Sequence, residues 1–472
     1  MKKFIYTLAV GSLLAVSCEN KLEIDPEQDL ATDLAFANKE NSFASLMGVY
    51  SLGQDYTVFG ALPQVIADFQ ADNVNFIGSF PTLQEIDNYD INSSNSTILP
   101  LWRDNFGVIA AANAVIKYVP EVEDESFNEA ERAQYVAEAK FVRALVNFQM
   151  VNLFGQPYNL DNGASLGVPI VLEPFEGEIT YPARSTVNEV HQQIFTDLQE
   201  ALPALLSAGD FGDASSVRGR ATKGAARALM ARLHLYRGEY QQAADLSKEL
   251  IDDGDYTLAP DHSFYDANTP EDIFTIQNSA TDNGATSSGG WASYYNSAEN
   301  NGRGDAPFSA DLIAAFEEEA GDKRFLLSRR DAADEPLFTT KFPDASTNSD
   351  NAPIIRITEM YLTRAEALAE LDGINSESLD LVNDLRDRAG LSLWDAGDFA
   401  NADEFIEAIL NERRKELCFE GHRRMDLLRK GKSLRTEGPG ESISAPGDPA
   451  VILPIPEAER EVNPNLEQND GY

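Results

Sequence analysis

The stretch "TKGAARALMARLHLYRGEYQQAADLSKELIDDGDY", Thr222 to Tyr256, decides how the rest of this 472-residue chain is read. Its apolar positions recur at spacings of three and four, the period of a helix with one buried face. The spacing predicts a helix, a tight turn at Arg237-Gly238-Glu239, and a second helix closed by Gly254. Thr222 is a candidate cap, because its hydroxyl can satisfy an orphan N–H of the first turn. Small residues Ala225, Ala228, Ala231 and Ala244 stand where two helices would approach closely.

That layout is the one used by tetratricopeptide-like units, in which short helical pairs stack on their neighbours. A second version is "RITEMYLTRAEALAELDGINSESLDLVNDLRDRAG", Arg356 to Gly390, turning at Asp372-Gly373. Two pairs so far apart predict a helical scaffold interrupted by insertions, not a continuous solenoid. Longer helices are predicted on either side of Pro120. "LWRDNFGVIAAANAVIKYV", Leu101 to Val119, sets Trp102, Phe106, Ile109, Asn113 and Ile116 on one stripe. "EAERAQYVAEAKFVRALVNFQMVNLFG", Glu129 to Gly155, ends at Gly155 with Pro157 beyond it. The fold class is therefore mainly α. Insertions near 55–100 and 261–350 are rich in Asn, Asp, Ser, Gly and scattered aromatics, and read as irregular loops on that scaffold. The Pro-rich tail "APGDPAVILPIPEAEREVNPNLEQNDGY" reads as extended and packed across the domain surface.

The chain carries 78 Asp+Glu against 37 Lys+Arg, a formal net charge of -41. Phosphate backbones would be repelled, which excludes nucleic acid as a partner, and a polybasic hold on anionic lipid is excluded likewise. The N-terminus is different. Lys2 and Lys3 precede an apolar run from Phe4 to Val16, too short for a bilayer span and suited to export. It ends in Ala15-Val16-Ser17-Cys18, a lipobox-like site. The expected organisation is a lipoprotein signal peptide over 1–17, a lipidated Cys18 opening a flexible tether over 18–30, and one domain over 31–472. Cys418 is then the only other cysteine, so no disulfide framework is available. It lies between Leu417 and Phe419 and reads as a small buried hydrophobe.

Cys418 also lies within "NERRKELCFEGHRRMDLLRKG", Asn411 to Gly431, which packs seven Lys/Arg into an acidic chain. Glu412, Glu416, Glu420 and Asp426 stand three or four residues from most of them, so the segment reads as an ion-paired, partly buried clamp.

Catalytic signals are weak. The four histidines are scattered, with neither HExxH nor Cys/His metal spacing, and no GxSxG elbow occurs. No cofactor, metal or catalytic residue is predicted. Sugar rings present apolar C–H faces and a rim of hydroxyls, so their sites combine aromatic platforms with amides, carboxylates and Arg. "GGWASYYNS" offers Trp291, Tyr294, Tyr295 and Asn296, with Arg303 beyond. "ADNVNFIGSF" offers Asp72, Asn73, Phe76 and Phe80. These nine are the candidate glycan-binding residues.

Several of these segments, together with "GDKR" at Gly321–Arg324 and the ending "LPIPEAEREVNPNLEQNDGY", resemble the SusD/RagB family of outer-membrane nutrient-binding lipoproteins of Bacteroidota. The resemblance covers essentially the mature chain, in order. It implies a SusD-like fold with tetratricopeptide-like pairs on one side and irregular ligand-binding loops on the other. It also implies a cell-surface lipoprotein, held to the outer membrane through its N-terminal lipid. Such a protein captures oligosaccharide or polysaccharide and passes it to a TonB-dependent SusC-like transporter without catalysis. The family's glycan contacts lie in variable loops, so no site residue is carried over. Two alternatives stand beside this reading: a helical-repeat adaptor, and a lipid-anchored glycoside hydrolase whose carboxylate pair would be defined by distance in space.

Overall fold

The computed structural model describes residues 32–262, 268–284, 289–333 and 335–472. The expected leader over 1–17, Cys18 and the tether to residue 30 lie outside the described residues. Helix dominates what is described. The main elements are α1 (Lys39–Gln54), α2 (Leu62–Gln70), α3 (Ile98–Tyr118), α4 (Glu129–Phe154) and α5 (Val187–Ala201). They are followed by α6 (Lys223–Tyr236), α7 (Tyr240–Asp253), α8 (Ile357–Asp372), α9 (Ser376–Ala389), α10 (Ala402–Leu417) and α11 (Arg423–Arg429). The architecture is mainly α, as the periodicity predicts.

Thr222 to Tyr256 forms the pair α6–α7. The Ala225 N–H donates to Thr222 Oγ1 at 3.0 Å, which is the expected cap. Gly238 turns the chain at φ +72 and Gly254 closes the second helix at φ +77, left-handed values that cost glycine nothing. Ala225, Ala228, Ala231 and Ala244 are fully buried, as close helix approach requires. The second pair is α8–α9, turned at Gly373 (φ +70). Helix α7 packs along α8, so the two pairs are neighbours in space despite the insertion between them. Arg364 Nη1 donates to the Ala244 carbonyl at 2.7 Å and ties them together. On the other side α4 packs against both α3 and α5. Its first turn is closed by a reciprocal Asn128–Glu131 capping box.

The insertions are more ordered than the sequence reading expected. Residues 55–100 contain α2, with Leu62, Val65, Ile66 and Phe69 buried at helical spacing. Residues 261–350 contribute β1 (Asp272–Ile276), which pairs antiparallel with β2 (Ala352–Arg356). The C-terminal tail is extended and built into the core, with Val451, Leu453 and Ile455 fully buried. The Leu453 N–H donates to the Leu153 carbonyl at 2.9 Å.

The basic segment differs most from its sequence reading. Arg413, Arg424, Arg429, Glu412, Glu416 and Asp426 are buried rather than partly buried. Most partners are distant in sequence, not three or four residues away. Arg429 Nη2 pairs with Glu366 at 2.7 Å, Arg388 Nη2 reaches Glu416 at 2.8 Å, and Arg356 Nε reaches Glu420 at 2.9 Å. Arg413 Nε reaches Asp426 at 2.9 Å. Burial pushes Glu359, Glu420 and Asp426 up, yet neighbouring guanidiniums override it and hold all three at about 2. Arg424 has no carboxylate partner among the described residues. Its Nε donates to Gln70 Oε1 at 2.9 Å and its Nη1 to the Asn152 carbonyl at 2.6 Å, at the C-terminal ends of α2 and α4. A cation there meets the negative end of two helix dipoles.

Replacing Asp426 with Ala leaves Arg413 and Arg429 buried with one carboxylate fewer. Losing one member of a buried ion network is expected to cost about 3–5 kcal/mol, read as a lower urea midpoint at pH 7. A midpoint within error of the parent protein would show that the network contributes nothing to stability.

Candidate functional site

The two insertions meet. Residues 72–77 run antiparallel to 305–309: the Ile77 N–H donates to the Asp305 carbonyl at 2.8 Å, Asn75 N–H to Pro307 at 3.0 Å, and Ser309 N–H to Asn73 at 2.9 Å. Gly78 stands at a close approach of the loops. A Cβ there would lie 2.6 Å from the Phe76 ring and 2.7 Å from the Asp305 carboxyl, so no larger residue fits without a shift.

This junction brings the nine sequence-selected residues into one region, but it buries most of them. Trp291 donates its indole N–H to the Phe59 carbonyl at 3.2 Å and packs edge-on to Phe342 at 4.9 Å. Tyr295 is fully buried and donates to Asp68 Oδ2 at 2.6 Å. Asn296 donates to the Ala292 and Phe342 carbonyls. Phe76 packs on Phe69 at 4.6 Å. Asn73 Oδ1 accepts from Arg414 Nε at 2.8 Å, and Asp72 accepts from Nε and Nη2 of Arg423, both at 2.6 Å. Tyr294 is buried beneath the Arg303 guanidinium, 4.5 Å from its ring centre. Trp291, Tyr294 and Tyr295, expected to stack sugars, and the further candidate Phe76 are thus all buried in this structure. Their rings form the core under the loops, and Asp72, Asn73 and Asn296 hold those loops in place.

Phe80 is different. It is 58% exposed, and the Arg303 guanidinium covers one face at 5.0 Å from the ring centre. Arg303 Nε donates to Asp305 Oδ2 at 2.8 Å, so the cation is held between two rings and a carboxylate. Asn75 and Ile77, on the strand-like run that precedes Phe80, are exposed as well. Sequence reasoning missed Tyr56, which is half-buried near Tyr294; burial raises the Tyr294 phenol and Tyr56 adds a smaller part. Burial raises the Tyr56 phenol itself, and Asp55 and Asp104 add to the effect. Tyr56 opens a wide turn over Tyr56–Gly60 in which the Ala61 N–H reaches back to the Tyr56 carbonyl at 3.2 Å. Such five-residue turns recur at functional sites, and because this one shows only in the backbone the sequence carries no signal for Tyr56. The surface so formed offers one open aromatic face, amides, carboxylates and a fixed guanidinium.

Among the described residues, two buried carboxyls have strongly raised pKa values. Burial pushes Asp68 up to about 7 and Asp272 up to about 6. Both face the interior rather than a cleft. Among the described residues no cluster of three or more His, Cys, Asp or Glu side chains could hold a metal ion, and no helix is long and apolar enough to cross a membrane.

Comparison with known proteins gives a consistent set of relatives. The model described as "SusD family" matches residues 337–472, and the one described as "Starch-binding associating with outer membrane" matches residues 21–235. SusD-like protein P38 of Formosa agariphila is 26% identical over 99% of this chain and 98% of its own length. The Starch-binding protein SusD of Bacteroides thetaiotaomicron is 27% identical over 36% of this chain and 29% of its own. A crystal structure of a SusD superfamily protein from Bacteroides thetaiotaomicron superposes with a TM-score of 0.81. It is 26% identical and covers 91% of this chain and 99% of that one.

Asp68 supplies a test of the buried core beneath the site. Its folded pKa, about 7, lies above the ordinary aspartate value of 3.8, so the stability it contributes is complete below pH 3.8 and is lost as pH rises through 7. Asp68→Asn keeps an acceptor for Tyr295 without the charge. It is expected to raise the melting temperature at pH 7 relative to the parent, with the gap closing towards pH 4. An equal gap at both pH values would show that the charge plays no part.

Proposed function

Because this chain belongs to the SusD/RagB family, we propose that it is a carbohydrate-binding protein of the outer membrane. It binds oligosaccharide or polysaccharide at the cell surface and hands it on to a TonB-dependent SusC-like transporter without cleaving it. The observation that carries this reading is the Phe80 surface. An exposed ring backed by a fixed Arg303, which is itself paired with Asp305 and seated on Tyr294, matches the alternation of apolar faces and hydroxyls on a sugar chain. The matched family description, which names starch binding and association with the outer membrane, points the same way. Each stacked ring contributes about 1 kcal/mol, so the single-site affinity is micromolar at best. A non-catalytic role is supported by the burial of Asp68 and Asp272, since a general acid with a raised pKa has to face its substrate.

The lipobox at Cys18 supports anchoring through lipid. A partner of protein character is supported by the loop between Ile170 and Tyr181. Leu172, Phe175, Ile179 and Tyr181 are all exposed there, Phe175 by 71% and Ile179 by 65%. Such a cluster marks an interaction surface. It lies near the start of the described chain, because Tyr118 packs on Phe36 at 5.3 Å and donates to Glu176 Oε1 at 2.9 Å.

Phe80→Ala is expected to weaken retardation in gels containing starch or laminarin by about tenfold with the melting temperature unchanged, the size of a lost aromatic contact of about 1.4 kcal/mol. Retention equal to the parent would remove Phe80 from the site, and release of reducing ends from the same polysaccharides would overturn the non-catalytic role. Phe175→Asp with Ile179→Asp is expected to abolish co-purification with the transporter from membranes while leaving glycan retention intact. Co-purification at the parent level would place the transporter contact elsewhere.

A further inference from the structure

A second concavity, of about 380 Å³, lies between α1, the short helix Ala214–Gly219 and the end of β1. None of the sequence-selected residues lines it. Helix α1 supplies Met47, Tyr50, Ser51 and Gln54 at spacings of three and four, so one helix face forms a whole wall. Ser215, Ser216 and Arg220 form the opposite wall, and Ile276 and Gln277 close the floor.

The walls are fixed by buried partners. Tyr50 donates its hydroxyl to Glu138 at 2.8 Å and accepts the Ala221 N–H at 2.9 Å. Arg220 places Nε and Nη2 on the same Glu138, at 3.0 and 2.6 Å. Its guanidinium lies between two further rings, Phe43 at 5.3 Å and Phe211 at 5.2 Å. Phe43 precedes Met47 by one helical turn and is 36% exposed. The result is a floor of mixed character and a rim of hydroxyls and amides, with Phe43 and Phe211 packed on the Arg220 that forms one wall. Because Glu138 neutralises Arg220, Asp282 is the charge the lining leaves over. An anionic ligand would meet that carboxylate without a cation to offset it, so the chemistry fits a neutral polyhydroxylated chain.

Position adds to this. Gln54 ends α1 and stands two residues before Tyr56, which lies near the Tyr294 that Arg303 covers. Gln54 Nε2 donates to the Gln277 carbonyl at 2.8 Å, joining the floor to that corner. From Phe43 to Gln54 the helix rises about 16 Å, a length that takes several consecutive sugar units.

We propose that this groove is a second carbohydrate subsite, holding the continuation of a neutral glycan whose other part lies on Phe80. The inference rests on the carbohydrate reading above and adds to it that the protein selects chain length and neutrality. The test is titration calorimetry of the full mature chain with malto- and laminari-oligosaccharides of increasing length. Ser51→Trp blocks one wall, Ser215→Trp blocks the other, and both positions are exposed, so the fold is retained. Each is expected to lose about tenfold in affinity for the longest chains and nothing for the shortest, whereas Phe80→Ala weakens both. Long-chain affinity unchanged in both Trp variants, with Phe80→Ala still weakened, overturns the subsite and leaves the carbohydrate reading standing. Absence of binding by the parent protein to every neutral oligosaccharide overturns both.

Discussion

Buried guanidinium–carboxylate pairing is the constraint on which the molecule depends. Glu416 and Glu420 at the end of α10 receive Arg356 from β2, Arg388 from α9 and Lys341 from the long insertion. Asp426 and Glu366 hold Arg413 and Arg429 between α10, α11 and α8. None of these charges has water to fall back on, so each must meet its partner or the desolvation cost goes uncompensated. Helical pairs that pack only through alanines and leucines could slide by a turn. Forked, two-pronged contacts tolerate no such slide. The network therefore sets the register of the helical core and, through Arg423 and Arg414 on Asp72, the position of the loop that carries Phe80.

The helical frame is legible in the sequence because its signals are local. Periodicity, Gly238, Gly254 and Gly373 state where helices run and stop without reference to distant residues. Helix α2 is the exception. Asn- and Asp-rich surroundings hid a run of apolar residues at the right spacing, because the flanking composition outweighed nine residues of period. The basic segment was half legible. Its charges announce pairing, but the sequence offers acidic neighbours nearby while the fold uses others up to about 350 residues away.

The ligand surface was legible as a region and not as a set of residues. Both insertions do meet at one place. Which rings point outward depends on what lies beneath them, and a Gly/Ser-rich neighbourhood carries no record of that. Trp291 is fixed by a carbonyl 232 residues earlier and Tyr295 by a carboxyl 227 residues earlier. Phe80 and Phe76 differ by four residues, yet one is open and the other packed on Phe69. Tyr56 was overlooked because it begins a turn whose width shows only in the backbone.

The tail built into the core has a consequence for how the molecule comes into being. Leu453 pairs with the end of α4, Asn469 donates to Phe154 across 315 positions, and Asp72 waits for Arg423 across 351. A chain that emerges N-terminus first cannot settle the Phe80 loop until nearly all of it has been delivered, and contacts of such separation are the slow ones to form. The loop is thus among the last parts to become ordered. A molecule cut short by its final fifty residues would lack Arg423, one of the two guanidiniums that hold Asp72, and would expose the apolar surface that the tail covers to proteolysis. Ligand-binding competence and completeness of the chain are in this way the same event.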